Sequence, residues 1–141
     1  MQSHSDMMMP PVSRFMSTTP ITIDHHATLA VARRLMRAHE IRHLPVVGDG
    51  QLVGIVSERD LQLIESAAKL DPDTVRVDRV MTPKPFVVTG DVALDEITEV
   101  MAEHKYSSVV VMGRNGVEGI FTAVDACQAL TTMLRVAVAE T

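Results

Sequence analysis

The sequence repeats itself at a constant offset of 65 residues, and this duplication limits the folds open to the chain more than any other feature. The two copies align without a gap over 45 positions, from 16 to 60 in the first copy. Identical residues at equivalent positions are Met16 and Met81, Pro20 and Pro85, Leu29 and Leu94, Met36 and Met101, His39 and His104, Gly54 and Gly119, and Asp60 and Asp125. Because glycines, apolar residues and an acid all stay in phase, the two halves are predicted to fold into the same unit.

Each copy predicts the element order β-α-β-β-α. The elements of the first copy are a short strand at 21–23, a helix through Leu29 and Met36, strands at 43–47 and 52–56, and a final helix after Ser57. The first helix is predicted because Leu29, Ala32 and Met36 fall on one helical face. The turn between the two longer strands contains glycines, which accept positive φ.

The duplication predicts a mixed α/β (α+β) fold in which the two repeats pack sheet to sheet about a pseudo-twofold axis. One copy of about 60 residues is marginal by itself, so the two copies would cover each other's apolar faces. The predicted boundaries are a flexible amino-terminal tail at 1–11, repeat one at 12–66, a linker at 67–76, repeat two at 77–135 and a carboxy-terminal tail at 136–141.

Composition and charge argue against several classes of protein. The net charge of −5 argues against general nucleic-acid binding, which needs a cationic surface. No apolar run reaches the roughly 18–20 residues of a membrane span, and the first residues lack the pattern of a signal peptide. The one cysteine, Cys127, allows no internal disulfide and points to the cytoplasm. Its place on an apolar helix predicts that it is buried.

Two short motifs carry a resemblance to a known family. Residues 54–60 read Gly-Ile-Val-Ser-Glu-Arg-Asp, and residues 119–125 read Gly-Ile-Phe-Thr-Ala-Val-Asp. Both resemble the signature of CBS domains, which is Gly, two apolar residues, Ser or Thr, two variable residues and Asp. The Leu-Pro-Val-Val at 44–47 also matches that family, although the second copy has Val109 and Val110 where Leu-Pro is usual. The resemblance covers roughly residues 12 to 135.

A tandem pair of CBS domains is called a Bateman module, and the resemblance implies a function. Such pairs bind adenosine compounds such as AMP, ADP, ATP or S-adenosylmethionine in clefts between the copies. Many form homodimers, and they regulate an enzyme, channel or transporter. The resemblance therefore implies an energy or metabolite sensor that acts on a separate effector, requires no cofactor and has no catalytic residues.

The physical logic of the motif can be stated from the residues themselves. Ser57 and Thr122 stand where a strand gives way to a helix, and the free N–H groups there favour an anion such as phosphate. Asp60 and Asp125 follow one helical turn later, and a carboxylate can accept two hydrogen bonds from a ribose diol. The alternative is that the hydroxyls are simple N-caps and the acids interact with the helix dipole.

The resemblance implies two ligand clefts. The first cleft would contain Ser57, Asp60, Ile55, Arg42, His43 and Arg59 from copy one with Lys84, Phe86 and Tyr106. In it, the two aromatic rings would flank the adenine, and Arg42, His43 or Arg59 would face phosphates. The second cleft would contain Thr122, Asp125, Ile120 and Ser107 with Thr19, Ile21 and Ile41. The first is richer in cations and is expected to be the better site for a charged nucleotide.

The six histidines do not predict a metal site. No cluster of ligands has zinc spacing, and the adjacent His25 and His26 are expected to point apart.

The two copies of the first helix differ in charge. That helix is basic in copy one (Arg33, Arg34, Arg37) and acidic in copy two (Asp95, Glu96, Glu99, Glu103). Opposite charges would favour a head-to-tail homodimer, although two solvated helix faces give the same pattern.

Three functions compete at this stage. The first is the regulatory adenosine-binding module. The second is a ligand-free dimeric interaction or scaffold protein. The third, an enzyme, is disfavoured because the sequence shows no Ser-His-Asp or Cys-His pattern, no Walker loop and no Rossmann fingerprint. Neither membrane association nor direct nucleic-acid binding is expected.

Overall fold

The computed structural model describes residues 9–18 and 21–140. The tail predicted at 1–11 lies mostly outside these residues, as does the predicted site residue Thr19. The strands are β1 (Ile23–Asp24), β2 (His43–Gly48), β3 (Gln51–Ser57), β4 (Thr82–Pro83), β5 (Val87–Thr89), β6 (Ser108–Gly113) and β7 (Gly116–Thr122). The helices are α1 (Leu29–His39), α2 (Glu58–Ala68), α3 (Leu94–His104) and α4 (Ala123–Ala139). The predicted β-α-β-β-α order is confirmed in both copies.

The chain divides into two compact units. The central unit comprises residues 19–85, and the split unit combines the described residues up to Thr18 with those from Phe86 onward. Residues 12–18, at the start of the predicted repeat one, therefore fold with most of repeat two, whereas residues 77–85, at the start of the predicted repeat two, fold with most of repeat one.

The central unit contains a four-stranded sheet in the order β1-β2-β3-β4. β1 runs parallel to β2, and the other pairs are antiparallel. α1 begins where the Thr28 side chain accepts a hydrogen bond from the Val31 N–H. It ends at Glu40, which adopts a left-handed conformation with φ of 54°. Core side chains from α1, α2 and the sheet include Leu29, Leu44 and Leu61, all fully buried.

The split unit contains a three-stranded sheet in the order β5-β6-β7, with the same parallel and antiparallel pairing. Its core is built around the fully buried Phe121 and Ile97. Val12 belongs to this core and is fully buried, with Phe15 and Met16 packed against it. The short amino-terminal segment is thus an integral part of this unit.

Each unit has a close approach between a sheet glycine and the incoming segment. A Cβ added to Gly54 would lie 2.8 Å from the Thr82 carbonyl oxygen, and one added to Gly119 would lie 2.4 Å from that of Ser17. Only glycine leaves space for the backbone there, which explains why the duplicated motif keeps a glycine at this position.

The sequence missed several local features. Two short 3-10 helices, Val12–Arg14 and Val77–Arg79, occupy equivalent positions of the repeat. The expectation that Cys127 is buried is wrong, because its side chain is exposed and Ala129 takes the core-facing side of α4. Among the described residues, no helix is both long enough and apolar enough to cross a bilayer.

Candidate functional site

The junction between β3 and α2 is the first candidate site. Ser57 is the N-cap of α2, and its side chain accepts a hydrogen bond from the Asp60 N–H at 3.1 Å. In return, Asp60 Oδ2 accepts from the Ser57 N–H at 2.9 Å. This reciprocal pair is a capping box, so the N-cap reading of these residues is correct within the unit. The box uses Oδ2 of the carboxylate and leaves Oδ1 outside it.

The junction between β7 and α4 repeats this arrangement. The Asp125 N–H donates to the Thr122 hydroxyl at 3.2 Å, and Asp125 Oδ2 accepts from the Thr122 N–H at 2.8 Å. The Thr122 hydroxyl also lies 3.1 Å from Asp125 Oδ2. Both carboxylates are half-buried, and their orientation is fixed by the backbone they cap.

The pairing of β3 with its two neighbouring strands sets the positions of further predicted residues relative to the first junction. His43 is the ladder partner of Ser57, and the Arg42 carbonyl accepts a hydrogen bond from the Glu58 N–H at 2.8 Å. On the other edge of β3, Ile55 pairs with Thr82 of β4, and Lys84 follows that strand in a left-handed conformation with φ of 52°. Arg42, His43, Ser57, Arg59 and Asp60 adjoin this junction. Ile55 lies two residues earlier on β3, and Lys84 follows Pro83, which pairs with Gly54 further back along that strand. We call these seven residues the central junction.

The split unit places its own predicted residues in the equivalent positions. The Ser107 carbonyl accepts from the Ala123 N–H at 3.0 Å, and Ile120 bridges to Ser17. The rings of Phe86 and Tyr106 lie 5.5 Å apart between centroids. Thr122, Asp125, Ile120 and Ser107 thus form the split-unit junction, with the aromatic pair in the same unit.

The two junctions differ in charge. The central junction carries the exposed cations Arg42, Arg59 and Lys84. The equivalent positions in the repeat are Ser107, Val124 and Thr19, all uncharged. The cation-rich character expected of the first site is therefore a property of the central unit itself.

The remaining predicted residues are Ile21, Ile41 and Thr19. Ile21 precedes β1, and Ile41 follows α1; both belong to the central unit and pack against its core. Thr19 lies outside the described residues. The assembly of residues from both units into two clefts stays a prediction.

The turn after β1 holds a group of ligand-type side chains that the sequence reasoning missed. The rings of His25 and His26 stack with centroids 3.8 Å apart, so the expectation that they point apart is wrong. Adjacent side chains alternate in an extended strand, but these two follow β1 in a turn. Ligand atoms of Asp24, His25 and His26 all lie within 4.8 Å of one another.

Comparison with known proteins gives a consistent result. The family model of the CBS domain matches residues 12–64 and 77–132. Hypoxic response protein 1 of Mycobacterium tuberculosis is 33% identical over 104 residues, which is 73% of each chain. A solved structure of Hypoxic Response Protein I with two coordinated zinc ions superposes with a TM-score of 0.72 at 29% identity, covering 84% of this chain and 97% of that one.

Two further similar proteins are a CBS domain pair solved with bound ligands and an enzyme. The CBS domain pair of protein MJ0100, solved with 5'-methylthioadenosine and S-adenosyl-L-methionine, has a TM-score of 0.80 and 25% identity, covering 89% of this chain and 99% of that one. Inosine-5'-monophosphate dehydrogenase of Korarchaeum cryptofilum is 35% identical over 106 residues, or 74% of this chain. The match spans only 21% of that enzyme.

Proposed function

The chain belongs to the CBS-domain family as a tandem pair, and from that premise we propose that it senses an adenosine-containing ligand and regulates a separate effector protein. The observation that carries the proposal is the capped start of α2, where the half-buried Asp60 carboxylate adjoins the exposed residues Arg42 and Arg59. The candidate ligands are AMP, ADP, ATP and S-adenosylmethionine. No cofactor is needed for this role.

The cations give the central junction its affinity for phosphate. Helix N-termini attract anions through unsatisfied N–H groups and the helix dipole. At α2, the Glu58 N–H is already bonded to the Arg42 carbonyl and the Asp60 N–H to the Ser57 hydroxyl. The side chains of Arg42, Arg59 and Lys84 therefore supply the further donors. Guanidinium groups bind phosphate oxygens in pairs, which suits a nucleotide better than a neutral nucleoside.

The carboxylate of Asp60 provides a hydrogen-bond acceptor for a ribose. The capping box holds Asp60 by its Oδ2 and leaves Oδ1 for a hydroxyl donor. The same holds for Asp125 at the split-unit junction. The MJ0100 pair, solved with two adenosine compounds, supports the choice of ligand class.

The aromatic rings remain candidates for contact with the adenine base. Tyr106 is 42% exposed and lies beside both Phe86 and His104, with ring centroids 5.5 and 5.2 Å away. A half-exposed aromatic cluster offers stacking surface to a purine. We propose that Phe86 and Tyr106 supply it.

A second candidate function, a homodimeric scaffold, is favoured by the surface of α4. Leu130, Leu134 and Val138 follow one another at intervals of four and are 55%, 55% and 71% exposed. Val124 is 59% exposed on the same helix. An exposed apolar stripe of this length is typical of an interaction surface. A second copy of the chain is the proposed occupant, and dimerisation is compatible with the sensor role.

The ligand proposal is tested by thermal unfolding and calorimetry with AMP, ADP, ATP and S-adenosylmethionine on the wild type, Arg59→Gln and the control Lys69→Gln. Both side chains are exposed in the central unit, but Lys69 is the C-cap of α2, at the opposite end of that helix from Ser57. A ligand at about 100 times its Kd adds about 2.7 kcal/mol of stability. We expect this gain for one adenosine compound, reduced in Arg59→Gln and retained in Lys69→Gln. No gain with any of the four would leave the scaffold as the function.

The dimer is tested by sedimentation with charge reversals in α1 and α3. Arg34 and Glu99 are exposed on the basic and acidic copies of the same helix. Head-to-tail pairing predicts that Arg34→Glu and Glu99→Arg each weaken the dimer and that the double variant recovers it. Additive losses in the double variant would refute this pairing.

We also propose that the protein acts in the cytoplasm, where a single reduced cysteine is ordinary.

A further inference from the structure

Four side chains of metal-ligand type lie at the end of β1, in the turn that follows it and in a segment beside that turn. Asp24, His25 and His26 are consecutive, and one ligand atom from each lies within 4.8 Å of the other two. Asp24 Oδ2 accepts a hydrogen bond from the His26 N–H at 2.9 Å, which fixes the turn. Asp78, from the segment after the linker, places Oδ2 3.8 Å from His25 Nδ1. All four belong to the central unit.

Asp78 is held in place beside His25. Arg76 Nε donates a hydrogen bond to Asp78 Oδ1 at 3.2 Å, which fixes the carboxylate. Two carboxylates and one guanidinium give the group a formal charge of about −1, before the histidines are counted. Such a group attracts a divalent cation.

The second copy of the repeat shows that the backbone does not need these side chains. Three backbone hydrogen bonds hold the turn in the first copy: Ala27 N–H to Asp24 O at 3.0 Å, Asp78 N–H to His25 O at 3.2 Å and Val77 N–H to Ala27 O at 2.8 Å. The second copy forms the same three bonds in the same order: Val92 N–H to Thr89 O at 3.3 Å, Ser13 N–H to Gly90 O at 3.1 Å and Val12 N–H to Val92 O at 2.9 Å. The side chains at the equivalent positions are Thr89, Gly90, Asp91 and Ser13. The same turn therefore folds without a histidine.

The His25 ring packs closely against the backbone of Gly48. It lies so close to Gly48 that a Cβ added there would be 2.9 Å from three of its ring atoms. The His25 N–H also donates to the Val47 carbonyl at 2.8 Å. In the second copy, Gly90 has no ring, and the space above Gly113 is taken by the Glu118 side chain. An imidazole packed at this position is thus specific to the first copy.

We propose that Asp24, His25 and His26 bind one divalent first-row metal ion of the zinc class, with Asp78 as the fourth ligand or the partner that orients His25. Imidazole and carboxylate are ligands that zinc accepts in tetrahedral geometry. Ligand atoms about 2.1 Å from a shared ion lie at most about 4.2 Å apart, so small χ rotations close the remaining gap. The two stacked rings turn so that their nitrogens converge on the ion.

The chain supplies its own matched variant. Replacing the turn by its repeat equivalent, with Asp24→Thr, His25→Gly and His26→Asp together, keeps residues that already form this turn in the second copy. The control is His39→Gln with His104→Gln, which removes the same number of imidazoles elsewhere. His26→Ala, at an exposed side chain, serves as the variant least able to disturb folding.

The test is calorimetric titration with Zn²⁺ in a non-chelating buffer, together with visible absorption after addition of Co²⁺. We expect one Zn²⁺ per wild-type chain and a tetrahedral Co²⁺ spectrum. The turn replacement and His26→Ala lose the spectrum and weaken Zn²⁺ binding more than 10-fold, whereas the control binds as the wild type does. Asp78→Asn weakens binding about 10-fold if it only orients His25. Equal Zn²⁺ binding by wild type and His26→Ala, or equal loss in the control, overturns the proposal.

Discussion

Replacing Gly54 by alanine tests the close approach that joins β4 to the central sheet. The added Cβ would lie 2.5 Å from Met81 Sδ and 2.8 Å from the Thr82 carbonyl oxygen. The methionine side chain can move, but the carbonyl belongs to β4, whose residues pair with Gly54 and Ile55. The strand must therefore shift, and overpacking of this kind costs about 1–3 kcal/mol.

That free-energy loss lowers Tm by about 3–10 °C in a chain of this size, measured by calorimetry or circular dichroism. Lys84 directly follows β4, so Gly54→Ala is also expected to weaken binding of a phosphate-containing ligand. Gly119→Ala is the matched control. It meets the Ser17 carbonyl at 2.4 Å in the other unit, so it destabilises similarly and leaves the position of Lys84 unchanged. A Tm within about 1 °C of wild type for Gly54→Ala would refute the reasoning, since the backbone contact could not then be as close as described.

Three further predictions concern stability. Ser57→Ala and Thr122→Ala each remove an N-cap and should cost about 1 kcal/mol in urea denaturation, adding in the double variant; a cost near zero would show that the capping boxes contribute nothing. Leu61 is fully buried and Leu63 is 56% exposed on the same helix, so Leu61→Ala should cost about 2–5 kcal/mol and Leu63→Ala less than about 0.5 kcal/mol. Asp78 has a lowered pKa in the folded state, so its stabilisation is present above the unfolded value of 3.8 and is lost as the pH falls through the folded value. Denaturation between pH 5 and pH 2 should show a shallower loss of stability in Asp78→Asn, and an unchanged slope would contradict this.

The order of helices and strands could be predicted from the sequence because the residue patterns that indicate them are local. The helices α1 and α3 show an apolar stripe, and Ser57 and Thr122 mark the starts of α2 and α4 as capping residues. β1 was misplaced by two residues, since the structure begins it at Ile23 rather than 21. Short strands are set by their partner, here β2, more than by their own residues.

Contacts between residues that are distant in the sequence could not be predicted from the local pattern of apolar and capping residues. The exposure of Cys127 depends on which side of α4 meets the core. The stacking of His25 on His26 depends on the turn after β1, and the approach of Asp78 depends on a segment more than 50 residues away. None of these relations has a periodic signature in the sequence.

The candidate site divides in the same way. The repeat identified the capping residues, and the resemblance to CBS domains identified the cations of the central junction. Strand pairing then placed Arg42 and His43 beside Ser57 and set Lys84 at the other edge of β3. Such neighbours come from ladder register, which spacing along the chain does not give.

By itself, the sequence determined that this protein is a duplicated β-α-β-β-α unit with capped helices and a cation-rich first motif. Only the tertiary structure decided how each core is completed. Val12 is the first residue of the predicted repeat one but is buried in the core formed by repeat two, whereas Val77 is the first residue of the predicted repeat two but is buried in the core formed by repeat one. The physical reason is that two similar cores accept the same short apolar segment. Which core receives it depends on chain connectivity and backbone pairing over long distances, and no local pattern of residues records that choice.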